Sequence, residues 1–457
     1  MKSSREIQCD ECYFSKSGLF LLYTIKNQIF LMESESLKLR RIYINSYKID
    51  SIEFSNDDIH FLALVKSHGY VCVYSFFTTE IVNKIQDPFH SYLSAFFLGQ
   101  GSNICIHKYE MMCISVYEIK NTEKPLVIIE NVKSKKKAYC LSAGNDILGC
   151  ITEFNKHNKI NLLCLQSYKI KTLITCVNFN PSAIFITKLN NILTYSNKHK
   201  SVHVYNSNGE LLHVHNFASH LACINILSIN EERNVISMGM QDGVVTLLSL
   251  DNLREIKKII LSDMLLMNEQ MKIYKENTST RNVLRGDLVH EINVLSGRKA
   301  CFSFYSNVSE GVKEGEYKLK CEKEEITDMC LKIGITFLSF SLCGTYMSII
   351  KSHNNVIRIY KTESYTCVAI LQQKKKITSA QWDNILGKAR LLICTNSPHL
   401  FVWLPHECTI LEMPYDGFKC KEAKWNCDGM ALLSKSEVLF LARKSARMAK
   451  YIRTVNI

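Results

Sequence analysis

The sequence predicts an all-β protein built from repeated four-stranded units. A strand that ends in an aromatic or aliphatic residue, followed by a short polar turn, recurs along the 457 residues. Neighbouring copies are 40, 43, 44, 38, 50, 111, 42 and 43 residues apart, and most of these intervals approach the roughly 40–45 residues of a propeller blade. The segments between them are short, rich in β-branched and aromatic residues, and bounded by Asn, Asp, Gly and Ser, as strands are. We therefore predict a β-propeller of seven to nine four-stranded blades, in one ring or two smaller rings.

Each copy has an apolar anchor near the end of the first strand of its blade, and we expect these anchors to be buried. They are Phe14, Phe54, Phe97, Leu141, Phe179, Ile229, Phe340, Trp382 and Trp425. The turn between a second and a third strand is clearest in "MQDGVV". There Asp242 and Gly243 predict a two-residue hairpin turn, because both tolerate positive φ angles.

The only Trp-Asp pair, Trp382-Asp383, falls outside its usual place in a WD repeat. The pair normally ends the third strand of a blade, a place taken here by pairs such as Tyr74-Ser75 and Trp403-Leu404. Trp382 instead ends a first strand. We interpret Trp382 and Trp403 as core aromatics and Asp383 as the start of a turn. The repeated pattern of strands and turns around the pair predicts a WD40-type propeller.

The anomalous interval divides the chain. We assign residues 1–261 and 329–445 to blades, 262–328 to a partly ordered insertion, and 446–457 to a basic tail. The first half of the insertion has helix-forming residues and polar loop character, and "EINVLSGRKACFSFYSN" alternates like a hairpin. A degenerate blade within the insertion is therefore an open alternative. The last blade lacks a fourth strand, which residues 4–8 are positioned to supply, latching the ring shut.

The net charge of +13 is dispersed, with local clusters at Lys133–Lys137, Lys374–Lys376 and Arg443–Arg453. The first two clusters lie between predicted strands, where solvated loop lysines are the simplest interpretation. The alternative is an acidic partner, either nucleic acid or the acidic tails of tubulin. The candidate partner-binding residues are Lys135, Lys136, Lys137, Lys374, Lys375 and Lys376.

Neither a cofactor nor a catalytic site is predicted. The nucleotide-binding, hydrolase and metalloprotease motifs are missing from the sequence. "CDEC" is half a zinc site without a second pair, and His213 and His215 share a strand face without a third ligand. The nineteen cysteines are scattered through apolar segments and are expected to act as small buried hydrophobes in a reducing compartment. No stretch is long and apolar enough to span a bilayer, so we expect an intracellular protein without a membrane partner.

The C-terminal third resembles the WD-repeat family of centrosomes and spindle poles. The shared elements, in order, are "IGI..L.FS", "QWD" at Gln381–Asp383, "ICT" at Ile393–Thr395, "LFVWLP", and "MALLSK" at Met430–Lys435. The resemblance is good over Ile333–Leu441, and weaker but collinear from "FSKSG" to "DGVVTLLSL".

This resemblance implies a non-enzymatic scaffold at the spindle pole, centrosome or basal body of the cilium. It implies that the scaffold anchors microtubule minus ends with a coiled-coil partner and, in fungi, a minus-end-directed kinesin. The competing hypothesis is a propeller scaffold in an RNA-associated, ribosome-associated or translation-initiation assembly, which a charge of +13 also suits. The ordered motif series favours the first function.

Overall fold

The computed structural model describes most of the chain. The described residues are 7–8, 11–34, 38–99, 101–133, 138–142, 144, 146–155, 157–176, 179–217, 223–262, 264–266, 271–280, 301–307, 316–319, 334–352, 355–384, 387, 389–405, 407–412, 418–426, 429–434 and 437–442. They form two compact units. The N-terminal unit comprises Gln8–Cys223 with Leu248–Glu255, and the C-terminal unit comprises Met1–Ile7, Ile224–Leu247 and Ile256–Ile457.

Five four-stranded antiparallel sheets, each made of four consecutive strands from β2 to β21, lie in the N-terminal unit. The strands up to this point are β1 (Ile7–Gln8), β2 (Glu11–Phe14), β3 (Phe20–Ile25), β4 (Gln28–Glu33), β5 (Leu39–Ile44), β6 (Ser51–Phe54), β7 (His60–Val65), β8 (Tyr70–Ser75), β9 (Ile81–Gln86), β10 (Tyr92–Leu98), β11 (Asn103–Lys108), β12 (Cys113–Glu118), β13 (Val127–Ile129), β14 (Tyr139–Leu141), β15 (Ile147–Phe154), β16 (His157–Cys164), β17 (Ile170–Cys176), β18 (Ala183–Ile186), β19 (Ile192–Ser196), β20 (Ser201–Tyr205) and β21 (Leu211–Asn216).

The remaining strands build the sheets of the C-terminal unit. They are β22 (Ile224–Asn230), β23 (Val235–Met240), β24 (Val244–Ser249), β25 (Glu255–Ile260), β26 (Met264–Leu266), β27 (Lys272–Thr280), β28 (Cys301–Asn307), β29 (Glu316–Lys318), β30 (Ile335–Phe340), β31 (Tyr346–Lys351), β32 (Val356–Lys361), β33 (Thr366–Gln372), β34 (Ser379–Trp382), β35 (Leu391–Cys394), β36 (His399–Trp403), β37 (Cys408–Glu412), β38 (Glu422–Asn426), β39 (Gly429–Leu433) and β40 (Glu437–Ala442).

The described residues thus contain eight four-stranded sheets and one six-stranded sheet, besides the pair β26–β29. The predicted all-β class with repeated four-stranded blades is confirmed, and nine such sheets lie within the predicted range. Whether they form one ring or two stays a prediction. The last sheet has the order β1-β40-β39-β38, so the strand that begins at Ile7 is the fourth strand of that sheet.

Burial follows strand position within each sheet. The second and third strands are buried on both faces, as in β7 and β8. The fourth strands β5, β9 and β25 share one mostly exposed pattern with a single buried residue near the end. Apolar side chains on both faces of the middle strands therefore form cores between consecutive sheets, such as the core that joins Leu64 and Val73 to Phe97 and Ile104.

The insertion differs from the sequence prediction. Lys272–Thr280, in the half with helix-forming residues and polar loop character, is strand β27 and pairs in parallel with β33. Strand β28, the second half of the segment that alternates like a hairpin, pairs with β27. Residues 291–300 lie outside the described part. Strands β27 and β28 therefore extend the β30–β33 sheet to six strands, and β26 and β29 form a separate two-stranded sheet. The sequence had left a separate degenerate blade open; instead β27 joins its neighbour, where Ile273 buries its side chain beside Ile370.

Two further predictions are corrected. Phe179 lies in the link before β18, so the first strand of that sheet follows this anchor and does not end at it; Pro181, which has no N–H, cannot donate to a strand ladder there. In the Asp242-Gly243 turn only Gly243 has a positive φ, of 86°. Gly243 N donates to Met240 O at 3.2 Å, which gives a three-residue loop with Gly in the left-handed position.

Candidate interaction surface

In every sheet, the turn between the second and third strands lies at the same end as the link to the next sheet, since consecutive strands are antiparallel. We call this the connector end. Two groups of residues at connector ends stand out. One is a set of lysines in the C-terminal unit, and the other is a set of exposed apolar side chains in the N-terminal unit.

The link from β33 to β34 forms a short basic arch, Lys374–Lys376. Lys374 and Lys375 are exposed and Lys376 is half-buried, whereas the flanking Gln373 and Ile377 are buried. Gln373 N donates to Asn355 O at 2.8 Å. Ile377 packs in the same core as Trp382 and Trp403. The arch is therefore fixed at both ends.

The next link along the chain lies against this arch. Thr378 Oγ1 donates to Lys421 O at 2.5 Å, and Ser379 Oγ donates to the same carbonyl at 3.3 Å. Lys419 and Lys421 are exposed and alternate with the fully buried Phe418 and Cys420. These contacts place both lysines on the connector end that carries the arch. We call Lys374, Lys375, Lys376, Lys419 and Lys421 the lysine surface.

The positive charge of the lysine surface affects a neighbouring histidine. His399, at the start of β36, has a pKa below its ordinary value, first because of burial and then because of the nearby Lys375 charge. The insertion also reaches the arch, since the Glu276 carboxylate accepts a hydrogen bond from Lys374 N at 2.7 Å. Glu276 is itself buried. The other candidate lysines, Lys135–Lys137, lie outside the described residues.

The second group consists of exposed apolar side chains on adjoining loops. Exposed fractions are 85% for Phe89, 52% for Tyr109, 51% for Met111, 48% for Met112 and 56% for Phe154. We call these five residues the apolar cluster. They belong to the link after β9, the turn after β11 and the end of β15.

Hydrogen bonds join these loops to one another. Tyr109 N donates to Ser91 O at 3.1 Å, and Ser91 N donates to Glu110 Oε2 at 2.8 Å. Val132 N donates to Met112 O at 2.6 Å, and Glu153 N donates to Asn131 O at 2.8 Å.

The loop that carries Phe89 is firmly held. Asp87 accepts from Phe89 N at 3.2 Å and from Lys108 Nζ at 3.0 Å, and it contacts His90 Nδ1 at 3.0 Å. The pKa of Asp87 is lowered: burial opposes the shift, and the hydrogen bonds from Lys108 and His90 outweigh it. An ordered loop therefore presents a nearly fully exposed phenylalanine to solvent.

Met112 adds an energetic argument. Its φ is +46°, a left-handed conformation that costs a residue with a Cβ about 1 kcal/mol. Among the described residues with positive φ, the other large apolar or aromatic ones are Tyr168, Leu253 and Tyr365. All three pack against a core or are buried. Met112 tolerates the same strain while half exposed, which points to a role outside folding.

The predicted structural residues occupy core or turn positions. Phe54, Phe97, Phe179, Trp382, Trp403 and Trp425 are buried, and Phe14 and Phe340 are half-buried. Trp382 Nε1 donates to Ser348 Oγ at 2.9 Å and to Ser339 O at 3.2 Å, across to the preceding sheet. Asp242 is exposed in its turn and accepts from Val244 N at 3.0 Å.

The candidate metal ligands of the sequence do not come together in the described residues. These residues contain no group of three His, Cys, Asp or Glu side chains arranged to hold a metal ion. His213 and His215 lie on β21 opposite Val204 and Val202, and Cys9 lies outside the described residues. Over the same described part, no helix has the length and apolar character needed to cross a bilayer.

Sequence comparison finds one informative relative. The chain is 20% identical over 437 residues to the mouse protein "WD repeat-containing protein WRAP73" (Mus musculus), covering 93% of this chain and 91% of the relative. No family model matches the chain. The comparison supports a WD-repeat family.

Structural comparison gives the fold. A eukaryotic initiation factor superposes with a TM-score of 0.58 at 10% identity, covering 90% of both chains. Saccharomyces cerevisiae Sqt1 gives 0.52 at 10% identity over 86% of this chain and 96% of its own. The C-terminal WD40 domain of Sif2 gives 0.50 at 10% identity over 86% and 95%. The fold is that of a WD40-type β-propeller.

Proposed function

We propose that this protein is an interaction scaffold that works at the spindle pole or centrosome, where it anchors microtubule minus ends together with a coiled-coil partner. The observation that carries the partner assignment is the apolar cluster. Aromatic residues and methionine are enriched in the cores of protein interfaces. The apolar face of a partner helix presents complementary side chains at helical spacing.

The cellular setting rests on the C-terminal motif series, Ile333–Leu441. The similarity to the mouse WD-repeat protein supports the scaffold part of the proposal. A minus-end-directed kinesin and the acidic tails of tubulin belong to the same proposal as further partners. The basal body of a cilium is the corresponding location in a ciliated cell.

The experiment is endogenous tagging, imaging through the cell cycle and proximity labelling. Wild type is compared with a double variant, Phe89→Ser with Met112→Gly, and with Leu189→Ser as a matched control. Leu189 is 80% exposed and lies in the turn between the first and second strands of its sheet, away from the connector end.

We expect wild type and the control to label spindle poles or basal bodies and to enrich a coiled-coil protein. The double variant should be present at the same level but lose that enrichment. A nucleolar or ribosome-associated signal, with RNA-binding neighbours, would replace this function with the RNA-associated alternative.

A further inference from the structure

We propose that the lysine surface binds an unstructured protein segment rich in Asp and Glu. This inference rests on the proposed scaffold function and gives the chemical class of a second partner. It concerns the C-terminal unit and is independent of the apolar cluster.

The first argument is that positive charge is concentrated at the connector end of neighbouring sheets. Five lysines lie on two adjoining links, and the Thr378 and Ser379 hydroxyls join those links through Lys421 O. Among the described residues of these two links, 373–378 and 418–421, every charged side chain is a lysine. A surface of one sign attracts a segment of the opposite sign and accelerates its association.

The second argument is preorganisation. The buried Gln373 and Ile377 anchor the two ends of the arch in the protein interior. Asn355 Nδ2 also donates to Gln373 O at 2.7 Å. Because the backbone is already fixed, binding a partner does not have to order it.

The third argument is that the insertion builds part of this surface. Strand β27 runs parallel to β33 until Lys275 meets Gln372. The next residue, Glu276, is buried and accepts the Lys374 N–H. Glu276 is therefore a positioning residue for the arch, and the insertion contributes to the surface through it.

An acidic protein segment fits better than RNA. Single-stranded nucleic acid is held by aromatic side chains on which bases stack, in addition to basic groups. Phe418, an aromatic residue in the described part of the second link, is fully buried and offers no face on which a base could stack. The five lysines of the surface supply the charge that an acidic segment needs.

The test is fluorescence anisotropy with the full chain and two labelled probes of equal length. One is a flexible peptide alternating Glu and Gly, and the other is oligouridine. The charge variant is Lys374→Glu, Lys375→Glu and Lys376→Glu together. Its matched control is Lys120→Glu, Lys124→Glu and Lys169→Glu, three exposed lysines outside the connector ends that give the same change in net charge.

We expect the peptide to bind wild type and the control equally, and the charge variant at least tenfold more weakly. Raising the salt concentration should weaken binding to wild type, because exposed charges are screened. Glu276→Ala should weaken peptide binding at low salt, and Glu276→Gln, which keeps an acceptor, should restore most of it.

Equal peptide binding by the charge variant and its control would overturn the proposal, as would tighter binding of oligouridine than of the peptide. Neither result bears on the apolar cluster. The localisation experiment can therefore succeed or fail independently of this one.

Discussion

The buried Asp383 and the half-buried Arg390 form an ion pair across the turn that follows β34. Arg390 Nε donates to Asp383 Oδ2 at 2.7 Å, and Arg390 Nη2 donates to the same oxygen. The guanidinium carbon lies 4.8 Å from the centroid of the Trp425 ring in the next sheet. The pair therefore joins a turn to its neighbouring sheet through one arginine.

Removing one member of this pair should be costly. Asp383→Ala leaves a guanidinium with little solvent, and we expect the free energy of unfolding to fall by about 3–5 kcal/mol. Arg390→Met should lower the free energy of unfolding by a similar amount, because it leaves the buried Asp383 carboxylate without its cation. The measurement is urea denaturation followed by circular dichroism.

The double variant provides the control. If the two residues act as a pair, Asp383→Ala with Arg390→Met should lose about 0.5–3 kcal/mol less than the sum of the single losses. Strict additivity would show that each residue contributes separately.

His107 should make stability depend on pH. Its side chain is fully buried, and neither ring nitrogen has a hydrogen-bond partner among the described residues. Tyr139 contacts the ring edge-on at 5.4 Å. Burial lowers the His107 pKa to about 4, whereas an unfolded histidine titrates near ~6.5.

The unfolded chain therefore binds more protons below about pH 6.5, so stability should fall as the pH drops from there to about 4. At pH 5 this one residue should lower the free energy of unfolding by about 2 kcal/mol relative to pH 7. Unfolding at both pH values, in wild type and His107→Phe, measures the effect. If His107→Phe had the same pH dependence of stability as wild type, the role of His107 would be refuted. A smaller pH dependence should remain in both proteins, because burial also lowers the pKa values of His60, His203 and His399.

Met112→Gly should separate binding from folding. Glycine relieves the left-handed strain but gains freedom in the unfolded chain, so stability should change by less than about 1 kcal/mol or rise slightly. Capture of the coiled-coil partner should nevertheless fall. Thermal unfolding and co-precipitation of Met112→Gly, beside Leu189→Gly as an exposed control, give the two readouts. A clear loss of stability would mean that the Met112 side chain serves the fold.

Ile273 should control docking of the insertion. It is fully buried and pairs in register with Ile370. Ile273→Ala should cost about 2–5 kcal/mol of local stability. Hydrogen exchange of peptides covering 271–280 should then accelerate, while exchange in β31 and β32 should not change. Unaltered protection of 271–280 would show that β27 is held by other contacts.

The fold was predictable because its signals are local and repeated. An apolar strand end followed by a polar turn is visible at Phe54, Phe340 and Trp382 without any long-range information. The strand position at Phe179 was predicted wrongly, because a buried aromatic residue in a link looks the same in sequence as one that ends a strand. The parallel pairing of β27 with β33 depends on partners about 97 residues apart, such as Lys272 and Ala369, and no local pattern encodes it.

The surfaces were only partly predictable. The arch Lys374–Lys376 is visible as a charge run, but Lys419 and Lys421 join it only through hydrogen bonds to the Lys421 carbonyl. The apolar cluster was missed. Its one sequence signal is "KYEMMC", where two consecutive methionines occupy a turn that would ordinarily be polar. Exposure of Phe89 depends on the packing of Asp87, which sequence periodicity does not reveal.

The most direct test of the scaffold function is photo-crosslinking in cells from a single position in the apolar cluster. A photoreactive amino acid replaces Met111, which is exposed, and the same amino acid replaces Leu189 in a control strain. We predict that position 111 crosslinks to a coiled-coil protein of the spindle pole, that position 189 does not, and that Phe89→Ser abolishes the crosslink. Equal crosslinking from both positions, or a crosslink at 111 that persists in Phe89→Ser, would contradict the proposed binding surface.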